Sequence, residues 1–197
     1  AVNLQKMAKN GVSAKGLIPP YPTKTFPSHY SIATGLYPEN HGIVANSFYD
    51  SNFDENYSST NRKTVENGKW YNGKPIWCLA QENQLTTAAY FWVGTEASID
   101  DCQPTYYYNY DAKTTNKVRF DKIIDWLELP TNERPQLITV YFSDVDHAGH
   151  KYGPNSKETE NTVRNIDKQL GILINRLDDI DLDVNLIIVS DHGMFQL

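Results

Sequence analysis

Two short clusters of carboxylate and imidazole side chains each stand directly behind an apolar run. The run 137–142 is followed by Ser143-Asp144-Val145-Asp146-His147-Ala148-Gly149-His150, and the run 186–189 by Ser190-Asp191-His192-Gly193. Carboxylate oxygen and imidazole nitrogen are ligands that zinc accepts. A lone Asp or His behind a strand is usually a cap or a turn residue. Two Asp/His pairs in the same position point instead to a metal centre, with Asp146, His150, Asp191 and His192 as its ligands. A third element is Thr25, at or near a helix N-cap with Pro27 in the first turn. Thr is a common cap, and capping explains its position. A helix start also offers free backbone N–H groups that bind anions, and a threonine hydroxyl coordinated by a metal loses its proton and becomes a nucleophile. One helix start could thus supply both the attacking oxygen and part of an oxyanion site.

The surrounding pattern supplies elements to hold these groups. Leu4, Met7 and Ala8 mark an amphipathic helix with Gly11 as its C-cap, and 12–18 reads as a short strand running into Pro19 and Pro20. A helix opens at Thr25 and runs through His29 and Ile32 to Gly35. The stretch from about 47 to 75 is polar, with Asn67-Gly68 and Asn72-Gly73 steps, and reads as an excursion with tight turns within one domain. Residues 76–83 read as a helix and 88–93 as a buried strand. Phe120, Ile123, Ile124 and Leu127 share a helical face that Pro130 ends, and 137–142 is an apolar strand. Val163, Ile166, Leu170, Leu173 and Leu177 mark a long amphipathic helix, and 186–189 reads as a further strand. Helices alternating with strands that are apolar on both faces predict an α/β fold, a largely parallel sheet sandwiched by helices. In such sheets functional residues gather beyond the C-terminal strand ends, where the Asp/His pairs stand.

Bulk properties narrow the partners. The 197 residues suffice for one domain with a sizeable core. A net charge of −6 and no long basic run argue against a nucleic-acid polymer, but not against a small phosphate substrate, because bound metals can supply positive charge locally. No apolar run is long enough to span a membrane, and no signal-peptide pattern is present. The chain opens at Ala1-Val2-Asn3 and stops at Phe195-Gln196-Leu197, just behind the second Asp/His pair. Both ends read as cut through structure, as in a fragment. Cys78 and Cys102 permit one disulfide or two buried thiols. Asn56-Tyr57-Ser58 is a glycosylation sequon, a short pattern of low specificity.

Longer strings carry a family resemblance. Tyr21-Pro22-Thr23-Lys24-Thr25-Phe26-Pro27-Ser28-His29-Tyr30, then Thr34-Gly35-Leu36-Tyr37-Pro38-Glu39-Asn40-His41-Gly42-Ile43, resemble the nucleophile segment of the nucleotide pyrophosphatase/phosphodiesterase (NPP) family, in the alkaline-phosphatase superfamily. Asp146-His147-Ala148-Gly149-His150-Lys151-Tyr152-Gly153-Pro154 and Ser190-Asp191-His192-Gly193-Met194 resemble its ligand motifs, in the family's order.

The resemblance implies an alkaline-phosphatase-like fold and two zinc ions, other divalent metals being an alternative. Thr25 would be the nucleophile and, with Asp191 and His192, a ligand of the first zinc; Asp146 and His150 would hold the second. Asn46 matches the family's oxyanion asparagine. Phe26, Trp92 and Tyr110 match its nucleobase pocket, with neighbouring Tyr106, Tyr107 and Tyr108 open as alternatives to Tyr110 or as loop packing. His29 and His41 belong to the family string without being ligands, and His147 occupies a variable position. The family also uses an Asp in an Asp-Gly-Phe motif ahead of this stretch and a His beyond it, so 1–197 reads as part of one catalytic domain. The implied activity is cleavage of phosphodiester or pyrophosphate bonds of nucleotides through a phosphothreonine intermediate, in a periplasmic or extracellular setting. The alternatives are another phosphoesterase of the superfamily, acting on lipids or monoesters, and an inactive truncated or binding form.

Overall fold

The computed structural model describes residues 1–196. In chain order it builds α1 (Val2–Asn10), α2 (Thr25–Thr34), α3 (Pro38–His41), the strands β1 (Ser47–Asp50) and β2 (Glu55–Ser58), α4 (Arg62–Val65), a 3-10 turn (Gly68–Trp70), α5 (Ile76–Glu82), β3 (Thr87–Tyr90), β4 (Tyr106–Tyr108), α6 (Asn116–Leu127), β5 (Leu137–Val140), α7 (Asp144–Tyr152) and α8 (Lys157–Asp178).

The central sheet has the order β4-β3-β5, with both pairings parallel. All four residues of β3 are buried, so both of its faces are covered, as a parallel strand requires. Side chains alternate along a strand. Ala88 and Tyr90, in register with Ile138 and Val140, pack with Trp126 of α6. Thr87 and Ala89 face the other way, where Gln81 Nε2 of α5 donates to Thr87 Oγ1 at 3.1 Å and Leu137 meets the cluster of Tyr30, Trp77 and Cys78. Helices thus cover both faces. Phe120 and Ile124 of α6 pack on Leu170 and Leu173 of α8. The Asp167 carboxylate of α8 accepts the Leu4 N–H at 2.8 Å and the Asn3 N–H at 3.2 Å, satisfying two orphan donors at the start of α1.

The segment 47–75 is a hairpin, β1 with β2, followed by α4 and the 3-10 turn. Its Tyr57, Trp70 and Tyr71 are buried in the same cluster as Tyr30. Cys78 and Cys102 form a disulfide, which settles the alternative that the sequence left open.

Two expected strands are not strands. Residues 12–18 are exposed throughout and unpaired, and 186–189 are mostly exposed, with Ile187 at 82%. An apolar run reports a tendency to be buried, but a strand needs a neighbour to receive its N–H and C=O groups. Among the described residues β5 pairs with β3 and with no other strand, so no ladder reaches 186–189. The strand expected at 88–93 stops at Tyr90, because Phe91 turns the chain at φ 69°.

His41 sits in the buried cluster beneath α2 with no exposed surface. The Ile43 N–H donates to its Nδ1 at 3.2 Å, so the neutral ring carries its proton on Nε2 and donates to Ser31 Oγ at 2.9 Å. Burial outweighs the backbone contacts and the Glu39 charge, and lowers its pKa from 6.5 to about 4. As pH falls through this window the unfolded chain takes up the proton before the folded one does. The stability that neutral His41 contributes is therefore complete above pH 6.5 and is lost toward pH 4. Urea unfolding of His41→Gln should show a shallower loss of stability across that window than the parent chain.

Candidate active site

Thr25 is the first residue of α2, after Lys24 in extended backbone. Its Oγ1 lies 3.3 Å from His192 Nε2, so residues 167 positions apart meet at the helix start. The expected row of free N–H groups is shorter than the helix alone would give. The Phe26 N–H donates to Asn46 Oδ1 at 3.0 Å, Pro27 has no N–H, and the Ser28 N–H donates to Lys24 O. The Thr25 N–H is the one first-turn donor without a partner among the described residues. Asn46 compensates: its carbonyl is held by the Phe26 amide, which leaves its NH2 group as a donor beside Thr25.

His29 ties this helix to the loop that carries Asp191. Its Nδ1 lies 2.8 Å from Thr25 O and 3.3 Å from Asp191 Oδ2. Its ring meets Trp92 at 5.0 Å and Tyr141 at 4.8 Å. Burial pushes the Asp191 carboxyl upward, but the His29 hydrogen bond and the charges of His29 and His192 outweigh it and hold the pKa below the ordinary value. His29 and Tyr141 are parts of the site that motif reading passes over. His29 stands one helical turn beyond Thr25, a spacing that puts the two on one face. Burial and the nearby Asp191 and Asp146 charges hold the Tyr141 phenol well above its usual range.

Residues 144–152 form a helix, α7, so the first Asp/His pair stands on a helix behind β5. Asp144 and Asp146 lie in its first turn and His150 and Lys151 in its last, each sign at the end that the helix dipole favours. The i,i+4 spacing sets His150 Nε2 3.4 Å from Asp146 Oδ1. His192 Nε2 approaches the same oxygen at 3.9 Å. Asp146 Oδ1 is buried and has no hydrogen-bond partner, a costly state for a carboxylate oxygen.

That orphaned oxygen is what a bound cation would satisfy. Among the described residues no three His, Cys, Asp or Glu side chains are arranged to hold a metal ion by themselves. The donors come as two partial sets, Thr25 with Asp191 and His192, and Asp146 with His150. In chemistry both sets fit zinc.

Aromatic side chains rim the site. Phe26 lies edge-on to Tyr57 at 6.2 Å. The Trp92 indole donates to His29 O at 3.3 Å. Tyr110 contacts Phe91 at 5.2 Å and Tyr141 at 6.4 Å. Tyr106–Tyr108 is strand β4, with Tyr108 stacked on Tyr90 at 4.6 Å, whereas Tyr110 lies past the strand's C-terminal end.

Residues 1–197 match the family model described as type I phosphodiesterase / nucleotide pyrophosphatase, and the chain belongs to that family. It is 40% identical, over 98% of its length, to ectonucleotide pyrophosphatase/phosphodiesterase family member 1 of Mus musculus, and covers 21% of that protein. It is 42% identical, over 99% of its length, to venom phosphodiesterase CdcPDE of Crotalus durissus collilineatus, and covers 24% of it. Among solved structures, an inactive murine ectonucleotide pyrophosphatase/phosphodiesterase 5 in complex with AMP superposes with a TM-score of 0.84 at 31% identity, over 90% of this chain and 47% of that one. The chain thus spans about a quarter of the length of these curated relatives. Its parallel α/β architecture is the alkaline-phosphatase-like fold of the family.

The two Asp/His clusters meet at Gly149. A Cβ there would stand 2.5 Å from Met194 Sδ, so the missing side chain lets the 190–194 loop lie against α7. Gly149→Val should force the end of the Met194 side chain out of its seat on the helix. Peroxide should then oxidise Met194 several-fold faster, while Met7 in α1 reacts as before. Peptide mass spectrometry of the two proteins after timed exposure checks this.

Proposed function

We propose that residues 1–197 form part of a catalytic domain that hydrolyses phosphodiester or pyrophosphate bonds of nucleotides, with Thr25 as nucleophile. The observation that carries this reading is the meeting of Thr25 Oγ1 with His192 at 3.3 Å, beside an Asn46 whose carbonyl is locked to the Phe26 amide. Thr25 Oγ1 attacks phosphorus and gives its proton to solvent, while the bond from phosphorus to the leaving oxygen breaks and that oxygen takes up a proton from solvent. The product of this step is a phosphothreonine. Water then displaces Thr25, restores the hydroxyl and releases a nucleoside monophosphate. The Asn46 NH2 group and the Thr25 N–H donate to the charge that builds on the non-bridging oxygens.

Zinc ions held by Thr25, Asp191 and His192 and by Asp146 and His150 would lower the pKa of the Thr25 hydroxyl and offset phosphate charge. The orphaned Asp146 oxygen and the paired donor sets support that requirement. Phe26, Trp92 and Tyr110 supply aromatic surface for a nucleobase. Two features of the murine structure support the reading: it holds AMP, and its inactive form carries a threonine-to-alanine substitution. The relatives are named as ectonucleotide and venom enzymes, and the Cys78–Cys102 disulfide suits an oxidising compartment. Both favour an extracellular or periplasmic protein.

In the intact protein, Thr25→Ala should abolish turnover of the p-nitrophenyl ester of thymidine monophosphate while bound zinc, read by metal analysis, stays near the parent level. Thr25→Ser should keep part of the activity. Near-full turnover by Thr25→Ala would remove the nucleophile from this assignment.

The hydrogen bond to Asn46 uses the backbone of Phe26, so trimming the ring leaves the oxyanion donor in place. Phe26→Ala should therefore raise KM for the nucleotide ester, with base stacking worth roughly 1–3 kcal/mol, and leave a base-free aryl phosphodiester little changed. Steady-state kinetics on both esters separates recognition from packing; equal losses would mean packing.

A further inference from the structure

The loop that carries Tyr110 is held by carboxylates that share one arginine. The Tyr110 N–H donates to Glu96 Oε2 at 3.2 Å, and Asn109 Nδ2 donates to Glu66 Oε1 at 3.2 Å. The guanidinium of Arg62 pairs with both, reaching Glu66 Oε1 at 2.8 Å and Glu96 Oε2 in a closer contact. Among the described residues these are the side-chain hydrogen bonds that Asn109 and Tyr110 make. Residues 109 and 110 have no regular secondary structure, since β4 ends at Tyr108 and α6 begins at Asn116.

The two ends of this bridge differ in solvation. The Glu96 side chain is 6% exposed, whereas that of Arg62 is 42% exposed. A buried carboxylate without its cation is strongly disfavoured, so removing Arg62 forces Glu96 to protonate or to swing toward water. Either change weakens its grip on the Tyr110 amide. Arg62 itself stands on a fixed base. The Tyr71 hydroxyl donates to Val65 O at 3.1 Å, and Thr64 Oγ1 donates to Ser58 O at 2.8 Å, which seats α4 on the buried aromatic cluster.

We infer that Arg62 is a positioning residue for nucleotide recognition: through Glu96 and Glu66 it anchors the Tyr110 loop to the 47–75 segment, and so sets affinity for substrates that carry a nucleobase. The inference rests on the reading of Tyr110 as part of the base pocket. Arg62 acts through the loop and not on the phosphate, so its loss changes KM for a nucleotide ester, spares kcat and spares a substrate without a base.

The test is a double-mutant cycle in the intact protein, with kinetics on the p-nitrophenyl ester of thymidine monophosphate and on bis(p-nitrophenyl) phosphate. Tyr110→Ala should raise KM for the nucleotide ester roughly fivefold or more, the lower range for a lost stacking contact. Arg62→Met should raise the same KM about three- to tenfold, leave kcat within about twofold and leave the base-free ester unchanged, with Arg62→Lys recovering part of the loss. In the Tyr110→Ala background Arg62→Met should add nothing. Glu96→Gln, which keeps an acceptor for the Tyr110 amide, should show a smaller shift and serves if Arg62→Met folds poorly. Equal losses on both esters, or an additive loss in the Tyr110→Ala background, would overturn the role of Arg62. So would an unchanged KM in Arg62→Met while Tyr110→Ala raises it. An unchanged KM in Tyr110→Ala would instead overturn the base-pocket reading itself.

Discussion

Every residue of β3 is buried, and a strand in that position leaves its surroundings little freedom. It must be hydrogen-bonded on both edges and covered on both faces. β4 and β5 take the edges in parallel, Trp126 of α6 covers one face, and the Tyr30–Trp77 cluster, with α5, covers the other. Parallel strands send all their C-terminal ends to one side. Phe91, Trp92, Tyr141 and the start of α7 therefore emerge together, and the αL turn at Phe91 bends the chain there. The site lies at this rim because the sheet gives the chain no other place to surface with several loops at once.

The remote segments meet at that rim with little positive charge between them. The chain carries a net −6, and two of its carboxylates, Asp146 and Asp191, are placed close to the imidazoles of His29, His150 and His192. Imidazoles give only part of the compensation that two half-buried acids require, and the buried Asp146 Oδ1 still has no hydrogen-bond donor. A side-chain set this poor in donors is unfavourable as a purely structural device. It is well suited to cations, which is why the same residues read as metal ligands from chemistry alone.

The sequence made the α/β class and the long α8 legible because each rests on local periodicity. The Asp/His pairs were legible because they follow apolar runs directly. Other features depend on partners distant in sequence. Whether 186–189 forms a strand depends on an adjacent strand, and periodicity cannot report one. The helical state of 144–152 was hidden because an Asp/His cluster behind an apolar run reads first as a strand-end motif, although Asp146 and His150 already had helical spacing. The roles of His29, between Thr25 and Asp191, and of Asn46, on the Phe26 amide, are tertiary facts. Only the one-turn spacing of His29 from Thr25 hinted at the first.

The excursion at 47–75 supplies none of the candidate metal ligands, yet much of the site leans on it. Asn46, at its threshold, takes the Phe26 amide. Tyr57 backs the Phe26 ring, and Arg62 reaches the carboxylates beneath Asn109 and Tyr110. α2, α7 and the 190–194 segment carry the acids and imidazoles, while the 47–75 segment supports the aromatic surface and the neutral donor. The division has a physical basis. Metal ligation demands donor positions fixed to a few tenths of an ångström, whereas a stacking surface tolerates more displacement. The two supports are not independent: Tyr57, Trp70 and Tyr71 share their buried cluster with Tyr30 and Trp77, which cover one face of the central sheet. In the proposed reaction the two tasks would meet at Thr25 and Phe26, the first facing the phosphate and the second the base.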